Sequence, residues 1–426
     1  MQYQGRMHQL QRELIGRYYA EATRAAATGE PKVAYLLVSG NPVELLRAMD
    51  MLPIYPEIND LQLAVRKESL PYILEAEEFG YSTDNCAYVK ADVGIFLRGG
   101  KTSYAQIPRP DLIVCNFVGC NVYLHWFEQL AEYYKAPVFN LDVPFVRDAT
   151  GRPEPGDVAY LVKQLEQLIE IGEKMTGRSF DYQRLQRIVA LARDTEDLWS
   201  EIKHLNKTSP APFDGYFDAG TMMAPMYCLR GTEGGLRFFQ ETYREMAERV
   251  QNGVGVLPQE KFRYVIEGPP PWPYYRTFRD LFSKWGAVAV ASTYSTVGGT
   301  WEWGFRHDPQ RPLESIAEHM MLHNVSNRSL LLRYEQIKRY IEEWRADALV
   351  IHSIKSCRLF SAGQGDMLDY FSRGLGVPTL LVESDLEDPR YFAEAQMRNR
   401  IDAFFETLEH RRLTKRGSGL GEGVKA

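Results

Sequence analysis

Short apolar runs alternate with segments of helical periodicity in two separate parts of the chain. The runs of the first part are KVAYLLVSG, LPIYPE, DLIVCNF and APVFNLD, and those of the second are FRYVIEGPP, AVAVAST, DALVIHS and PTLLVES. Segments with apolar residues three and four positions apart lie between the runs. This alternation is typical of buried parallel strands that are joined by crossover helices. We therefore predict an α/β fold with two open, Rossmann-like parallel sheets.

Long amphipathic segments separate the two parts. Three of them, beginning at DVAYLVKQ, YQRLQRIV and GGLRFFQE, have apolar residues along one helical face. We expect two α/β lobes with a helical segment between them. The predicted division is an N-terminal helix (1–30), a first lobe (31–150), a helical segment (151–258), a second lobe (259–410) and a flexible tail (411–426).

The composition of the chain mainly excludes classes of protein. The chain has 426 residues, of which 45% are hydrophobic and 25% charged, and its net charge is −6. The acidic balance provides no basic surface for nucleic acid, and no run reaches the roughly 18 apolar residues of a membrane span. The first residues carry frequent charges and lack the apolar core of a signal peptide. We expect a cytoplasmic protein that binds neither nucleic acid nor a membrane.

The cysteines are the first candidates for chemistry. Five cysteines in a chain of this length are too few for a disulfide scaffold, which indicates a reducing compartment. Cys120 and Cys357 each follow a predicted strand and precede a predicted helix, where ligands bind in open parallel sheets. Cys86 follows three candidate N-cap residues (82–84), so we expect its thiol in the first turn of a helix. The N–H groups of a helix start favour thiolate at all three positions.

Alternatives remain for each thiol. Any one cysteine is simply explained as a small buried hydrophobe, and three at helix starts make that explanation weaker. Cys115, inside a predicted strand, and Cys228, in MAPMYCLRG, are predicted to be structural, although Cys115 competes with nearby Cys120 as a ligand. The dispersed spacing differs from the tight C-x-x-C groups of zinc ribbons and ferredoxins. Three protein ligands on one metal centre would leave a coordination position open for water or substrate.

Six motifs together resemble one protein family. They are LPIYPEIND, NCAYVKADVGIFLRG, VIEGPPPWPYYRTFRDLF, STYSTVGGTWEWGFRHDP, SIKSCRLFSAGQ and VESDLEDPRYF. On these motifs the chain is identified as a member of the 2-hydroxyacyl-CoA dehydratase and benzoyl-CoA reductase family. Within it, the chain resembles the B subunits of ATP-dependent, class I benzoyl-CoA reductases. The resemblance covers nearly the whole chain, from Lys32 to Leu408.

The resemblance implies a cofactor and a reaction. A 4Fe-4S cluster would lie in the cleft between the lobes, bound by Cys86, Cys120 and Cys357, with one iron position open. Low-potential electrons from reduced ferredoxin would convert an aromatic acyl-CoA to a cyclic dienoyl-CoA. The implied partners are a related second cluster-bearing subunit and two ATPase subunits of the actin/hexokinase-like type.

Two other functions stay open. The first is an (R)-2-hydroxyacyl-CoA dehydratase subunit that works through a ketyl radical, although the wording of the motifs after Val265 favours the reductase. The second is a non-catalytic scaffold, or a small-molecule reductase with a larger iron–sulfur centre. Iron and sulfide analysis distinguishes the members of this second group.

Two aromatic motifs supply candidates for a substrate site. The apolar wall candidates are Trp272, Tyr274, Tyr294, Trp301 and Trp303. Gly298 and Gly299 would allow close backbone approach to substrate, and His307 is a candidate proton donor. Core packing is the alternative for the aromatic residues, and a surface ion pair is the alternative for His307.

Three further polar positions carry expectations. Glu267, before three prolines, would orient a donor or cap a loop. Lys355 would balance the cluster charge or would simply be exposed. Ser361 and Gln364 have the spacing of a capping box for the helix that follows Cys357.

Overall fold

The computed structural model describes residues 5–118, 120–296, 305–322 and 327–419. The candidate residues Gly298, Gly299, Trp301 and Trp303 lie outside these ranges. No helix in the described ranges is long and apolar enough to cross a membrane.

The first sheet has four parallel strands in the order β2-β1-β3-β4. Its strands are β1 Val33–Leu36, β2 Leu52–Ile54, β3 Leu112–Cys115 and β4 Val138–Asn140. Strands β1 to β3 are fully buried, whereas β4 at the edge is largely exposed. All four correspond to the predicted apolar runs.

The second sheet is also parallel, with the order β6-β5-β7-β8. Its strands are β5 Phe262–Glu267, β6 Ala287–Ser292, β7 Ala348–Ile354 and β8 Thr379–Ser384. The predicted α/β class with two parallel sheets is therefore confirmed. In both sheets the first strand of the lobe is central, so a crevice forms where the chain reverses direction along the sheet.

Sixteen α-helices lie in the described ranges. Those from the start of the chain to the first edge strand are α1 Arg6–Thr28, α2 Val43–Ala48, α3 Pro56–Val65, α4 Ser69–Phe79, α5 Ala87–Leu97 and α6 Val122–Tyr134. Those between the two sheets are α7 Pro155–Thr176, α8 Tyr182–Leu205, α9 Phe217–Cys228 and α10 Glu233–Gln251. Those of the second α/β part are α11 Tyr275–Ser283, α12 Pro312–Leu322, α13 Leu330–Glu343, α14 Arg358–Ser361, α15 Gln364–Asp369 and α16 Glu394–Gly419.

Local chemistry explains several helix starts. Asp181 caps α8 by accepting a hydrogen bond from the Arg184 N–H, and Thr232 caps α10 through the Gly235 N–H. Pro56 occupies the first position of α3, where its missing N–H costs no helical hydrogen bond.

The structure differs from the sequence-based expectation at two helices. Helix α9 was not predicted, because all its residues but the partly buried Thr221 are buried, and no polar face marks its helical period. Helix α16 continues to Gly419, so residues 411–419 are helical where a flexible tail was expected. The basic, polar end of α16 gives no apolar periodicity, and its helix is an extension of the packed turns around Ile401 and Phe405.

The predicted capping box is wrong. Ser361 is the last residue of α14, and its hydroxyl donates to the Ile354 carbonyl at 2.6 Å. Gln364 begins α15, whose N-cap is Gly363, and its side-chain amide donates to the His352 carbonyl at 3.4 Å. Both side chains therefore tie the loop back to β7, because buried carbonyls at the strand end need donors.

Apolar packing joins the two lobes. A buried cluster contains residues of α3 and of the second lobe: Leu61, Ala64, Trp272, Ile354 and Leu386. Tyr88, Tyr294 and Cys357 pack against its edge. We call this set the interlobe seam. It lies where the carboxyl ends of strands from both sheets meet, which is the expected place for a site.

Candidate functional site

Three cysteines occupy turns at helix starts. Cys86 is itself the N-cap residue of α5, rather than a residue within its first turn as the sequence suggested. Cys357 is the N-cap of α14, and Cys120 lies directly before Asn121, the N-cap of α6. The predicted position of Cys120 and Cys357 after strands β3 and β7 is confirmed.

Hydrogen bonds place the turn that carries Cys120. The Asn116 side-chain amide donates to the Gly40 carbonyl at 2.8 Å, and its oxygen accepts from the Val118 N–H at 2.8 Å. Gly40 has φ +63°, and a Cβ there would meet the Val118 side chain at 3.0 Å. The glycine therefore permits the loops after β1 and β3 to pack closely.

The three cysteines line one cavity of about 340 Å³ between the lobes. The turns of Cys86 and Cys357 are joined directly, because the Ala87 N–H donates to the Ser356 hydroxyl at 3.3 Å. Ser356 is held in turn by Asp385, which accepts from its N–H at 2.8 Å. The sequence placed Cys86 and Cys120 in the first lobe and Cys357 in the second, and the fold brings the three to a common space.

Burial controls the protonation of these thiols in the metal-free chain. It raises the pKa of Cys86 well above its usual value, raises that of Cys120, and raises that of Cys357 to about 11. Backbone N–H groups of the following helical turn lower each value by a smaller amount. The helix N–H groups thus favour thiolate as expected, but desolvation outweighs them in the metal-free chain.

Mutual repulsion reinforces this effect. The charges of Cys357 and Cys120 both raise the pKa of Cys86, so the three sulfurs lie within electrostatic range of one another. Three thiolates can be held together only when positive charge sits between them. Thiolate is a soft ligand that suits iron–sulfur clusters, zinc and copper(I). The donor set therefore fits a cationic metal centre.

The remaining cysteines lie elsewhere. Cys115 is buried in β3, and its thiol donates to the Asn116 carbonyl at 3.5 Å and the Tyr123 carbonyl at 3.6 Å. Cys228 is buried at the end of α9, and burial raises its pKa to about 12. Neither lines the cysteine cavity.

A buried carboxyl group near Cys120 was not predicted from the sequence. Glu57, in the first turn of α3, accepts hydrogen bonds from the Tyr123 hydroxyl at 2.5 Å and the Val38 N–H at 2.6 Å. Burial raises the pKa of Glu57 to about 7, and its charge in turn raises the pKa of Cys120. The sequence did contain a signal for Glu57. In LPIYPEIND an acidic residue follows the carboxyl end of a predicted buried strand, where ligands bind in parallel sheets.

Glu57→Gln is expected to stabilise the protein at pH 8 by about 2 kcal/mol and to destabilise it near pH 4 by about 1 kcal/mol, where only the altered hydrogen bond counts. As pH rises from the unfolded value towards about 7, the unfolded state releases its proton while folded Glu57 keeps it, so stability falls. The neutral amide of glutamine avoids this loss of stability. Its altered hydrogen bond costs about 1 kcal/mol, which reduces the net gain.

Thermal unfolding of the wild type and Glu57→Gln at both pH values measures this effect. Glu383→Gln, at an exposed carboxylate on β8, is the matched control and is expected to change stability by less than about 0.5 kcal/mol. Equal stabilisation of Glu57→Gln at both pH values would contradict the titration.

Aromatic residues of the seam form a chain of donors. The Trp272 indole N–H donates to the Tyr88 hydroxyl at 2.8 Å, and the Tyr88 hydroxyl interacts with that of Tyr294. Trp272 and Tyr294 meet edge to face at 6.0 Å between ring centroids. The predicted wall residues Trp272 and Tyr294 thus lie together, beside a tyrosine that was not predicted. Tyr274 instead stacks on Phe392 at 4.5 Å, away from the seam.

His307 lies in a different buried cluster. It is 3% exposed, so it is not a surface residue, and it does not line the cysteine cavity. Its Nε2 lies 2.8 Å from Arg230 Nη2, and its Nδ1 lies 2.8 Å from the Ser315 hydroxyl. Burial lowers the pKa of His307 well below its usual value, so the imidazole is neutral at physiological pH.

The same cluster is the one tight group of metal-type ligands found in the described ranges. Glu196, His307 and His319 present ligand atoms within 4.8 Å of one another. Arg230 Nη2 lies 2.8 Å from Glu196 Oε1 and 3.2 Å from His319 Nε2, and the guanidinium also pairs with Glu44. A guanidinium therefore fills the space that a metal ion would need.

Other predicted polar residues lie at the margins. Lys355 is 52% exposed and pairs with Glu383 at 4.0 Å. Glu267 is fully buried, accepts from the Thr293 hydroxyl and pairs with Arg333. It therefore binds a cation and a hydroxyl within the second lobe, and does not cap the proline loop.

A larger cavity of about 640 Å³ adjoins the cysteine cavity. The two share Cys120, Val122, Arg358 and Leu359 as lining residues. Phe117 and Phe145 line the larger cavity only, and Phe145 is 47% exposed. Cys120 is thus reached from two sides.

A family model described as 2-hydroxyglutaryl-CoA dehydratase, D-component, matches residues 38–408. The chain belongs to this family. It is 37% identical to the B subunit of benzoyl-CoA reductase from Thauera aromatica, over 94% of both chains. This identity confirms the resemblance that the motifs indicated.

Other family members are named as dehydratase subunits. The alpha subunit of (R)-2-hydroxyisocaproyl-CoA dehydratase from Clostridioides difficile is 28% identical over 95% of this chain and 97% of its own. The alpha subunit of (R)-phenyllactyl-CoA dehydratase from Clostridium sporogenes is 26% identical, over 93% and 94% respectively. The family thus includes enzymes that are named for acyl-CoA reduction and for dehydration.

Proposed function

We propose that the chain is the cluster-bearing B subunit of an ATP-dependent benzoyl-CoA reductase. It would pass low-potential electrons from ferredoxin to an aromatic acyl-CoA, giving a cyclic dienoyl-CoA. The observation that carries the proposal is the shared cavity of Cys86, Cys120 and Cys357, in a chain 37% identical to a benzoyl-CoA reductase component.

These three thiols would hold a 4Fe-4S cluster. Bound there, the cluster would supply single low-potential electrons and leave one iron position without a protein ligand. Two features support the assignment: the sulfurs come from three separate turns around one cavity, and backbone N–H groups point at each of them. Hydrogen bonds to cluster sulfur are a means by which proteins adjust reduction potential.

Residues of the interlobe seam would bind the substrate, and the nearby Glu57 would protonate it. Adding an electron to an aromatic thioester places negative charge on its oxygen, which hydroxyl donors stabilise in a dry site. Trp272, Tyr88 and Tyr294 offer such a donor chain in an apolar setting. Glu57, with a pKa of about 7, would hold a proton close to Cys120 at neutral pH.

Partners complete the proposed enzyme. We include a related second cluster-bearing subunit, two actin/hexokinase-like ATPase subunits and reduced ferredoxin, in a cytoplasmic complex. Support comes from the relatives, which are named as single subunits of their enzymes.

An activity assay of the purified complex tests the reaction. With a dithionite-reduced donor and MgATP, we expect reduction of benzoyl-CoA and no dehydration of a 2-hydroxyacyl-CoA. Dehydration without ring reduction would instead show a dehydratase subunit, which is the second candidate because several relatives carry that name.

Iron analysis of the isolated chain tests the cofactor. About four irons per chain agrees with one cubane cluster. About eight would indicate a double cluster, and none would indicate a scaffold. Each of the last two results would overturn the proposed cofactor.

A further inference from the structure

The two basic side chains that flank Cys357 have different surroundings. Lys355 is exposed, lies outside the lining of the cysteine cavity, and pairs with Glu383 at 4.0 Å. Arg358 lines the cysteine cavity and also the larger cavity beside it. From the sequence, Lys355 was the residue expected to balance cluster charge, whereas the fold places Arg358 there.

Arg358 is the one cation among the described residues that line the cysteine cavity. Arg358 is exposed. Its guanidinium makes no hydrogen bond or ion pair with any residue in the described ranges. Arg333 is also within electrostatic range of Cys357, but it does not line the cavity and it pairs with Glu267. Asp84 is the one carboxylate in the same lining, and no described residue pairs with the Arg358 guanidinium.

A permanent positive charge next to a redox centre favours its reduced form. Reduction adds one negative charge, which a neighbouring cation stabilises by Coulomb attraction. Arginine retains its charge at all working pH values. Because Arg358 is exposed, dissolved salt partly screens this attraction.

We propose that Arg358 sets the reduction potential of the cluster held by Cys86, Cys120 and Cys357, acting through its charge without binding iron. The inference rests on the proposed function, since it requires a cluster on these three thiols. Arg358 thus acts on the cluster only through its positive charge. The neighbouring Lys355 has no comparable effect on the reduction potential.

A redox titration followed by electron paramagnetic resonance tests the proposal. Full-length wild type, Arg358→Gln, Arg358→Lys and Lys355→Gln are reconstituted anaerobically with iron and sulfide. Arg358→Gln is expected to lower the equilibrium constant for reduction by up to tenfold, which is about 59 mV for one electron. Arg358→Lys restores most of the wild-type value, and Lys355→Gln matches the wild type.

The salt dependence of the reduction potential provides a second test, because a purely structural role of Arg358 would not depend on ionic strength. The difference between the wild type and Arg358→Gln is expected to shrink as ionic strength rises from 0.01 M to 1 M, where the Debye length falls from about 30 Å to about 3 Å. A difference independent of salt would contradict a charge effect at an exposed side chain.

The failures of the two proposals are distinguishable. Absence of an iron–sulfur signal from wild type would refute the cluster assignment itself. A full wild-type signal with an unchanged potential in Arg358→Gln would overturn only the role of Arg358. Loss of iron from Arg358→Gln alone would also overturn it, because Arg358 would then be needed for cluster assembly.

Discussion

Cys120→Ala is expected to remove the iron–sulfur absorption of the full-length chain and to reduce activity of the complex by more than about 100-fold. Loss of an outer partner of a metal ligand already costs about 10–100-fold, and loss of the ligand itself costs more. Cys120 lines the cysteine cavity, and its sulfur lies within electrostatic range of Cys86 and Cys357. Alanine is preferred to serine because a hydroxyl can still bind iron.

Cys115→Ala is the matched control for this prediction. Cys115 is five residues earlier, but its thiol is sealed in β3 and donates to two carbonyls. Removing it leaves a small cavity that costs about 1 kcal/mol, and the cluster absorption is expected to be retained. Loss of iron in Cys115→Ala with retention in Cys120→Ala would show that the ligand is Cys115.

Arg230→Met is expected to destabilise the protein by about 3–5 kcal/mol. Arg230 is 3% exposed and pairs with Glu44 and with Glu196, both buried. Without the guanidinium, two carboxylates from α2 and α8 remain in the interior with two neutral histidines. An uncompensated buried charge costs far more than a lost surface pair.

Urea unfolding of Arg230→Met and of Arg306→Met measures the difference. Arg306 is 64% exposed and pairs with Asp197 at the surface, so its loss is expected to cost less than about 1 kcal/mol. A chelator is present throughout, because Glu196, His307 and His319 would otherwise be free to take up a metal ion in place of the guanidinium. Equal effects of the two substitutions would mean that the carboxylates are neutralised by other groups.

Sequence periodicity predicted the strands well because buried parallel strands are nearly continuous apolar runs. Runs such as DLIVCNF and DALVIHS carry that pattern, and both are central strands, β3 and β7. Helix α9 carried no such signal, because a helix buried on every side has no polar face. The capping box at Ser361 and Gln364 failed because both side chains donate to carbonyls at the end of β7 and do not accept from helix N–H groups.

The candidate site was predicted as far as topology alone allows. Strand ends in a parallel sheet share one edge, so Cys120 and Cys357 were placed correctly relative to their strands. Protonation was not predictable, because burial opposes the helix N–H groups and only the fold gives its extent. The same holds for His307 and Lys355, whose surroundings come from segments distant in sequence.

The cysteine cavity is lined by two parts of the chain that are far apart in sequence, one in each lobe. More than half of the sequence lies between Cys120 and Cys357, so a ribosome-bound chain that has completed only its first lobe offers two of the three thiols. Cys357 joins the other two thiols only once the second lobe has folded and docked, because its part of the cavity wall belongs to that lobe. On the proposed function, metal loading would therefore be a late step in biogenesis, and the nascent chain would have to keep its first two thiols reduced until the third arrives.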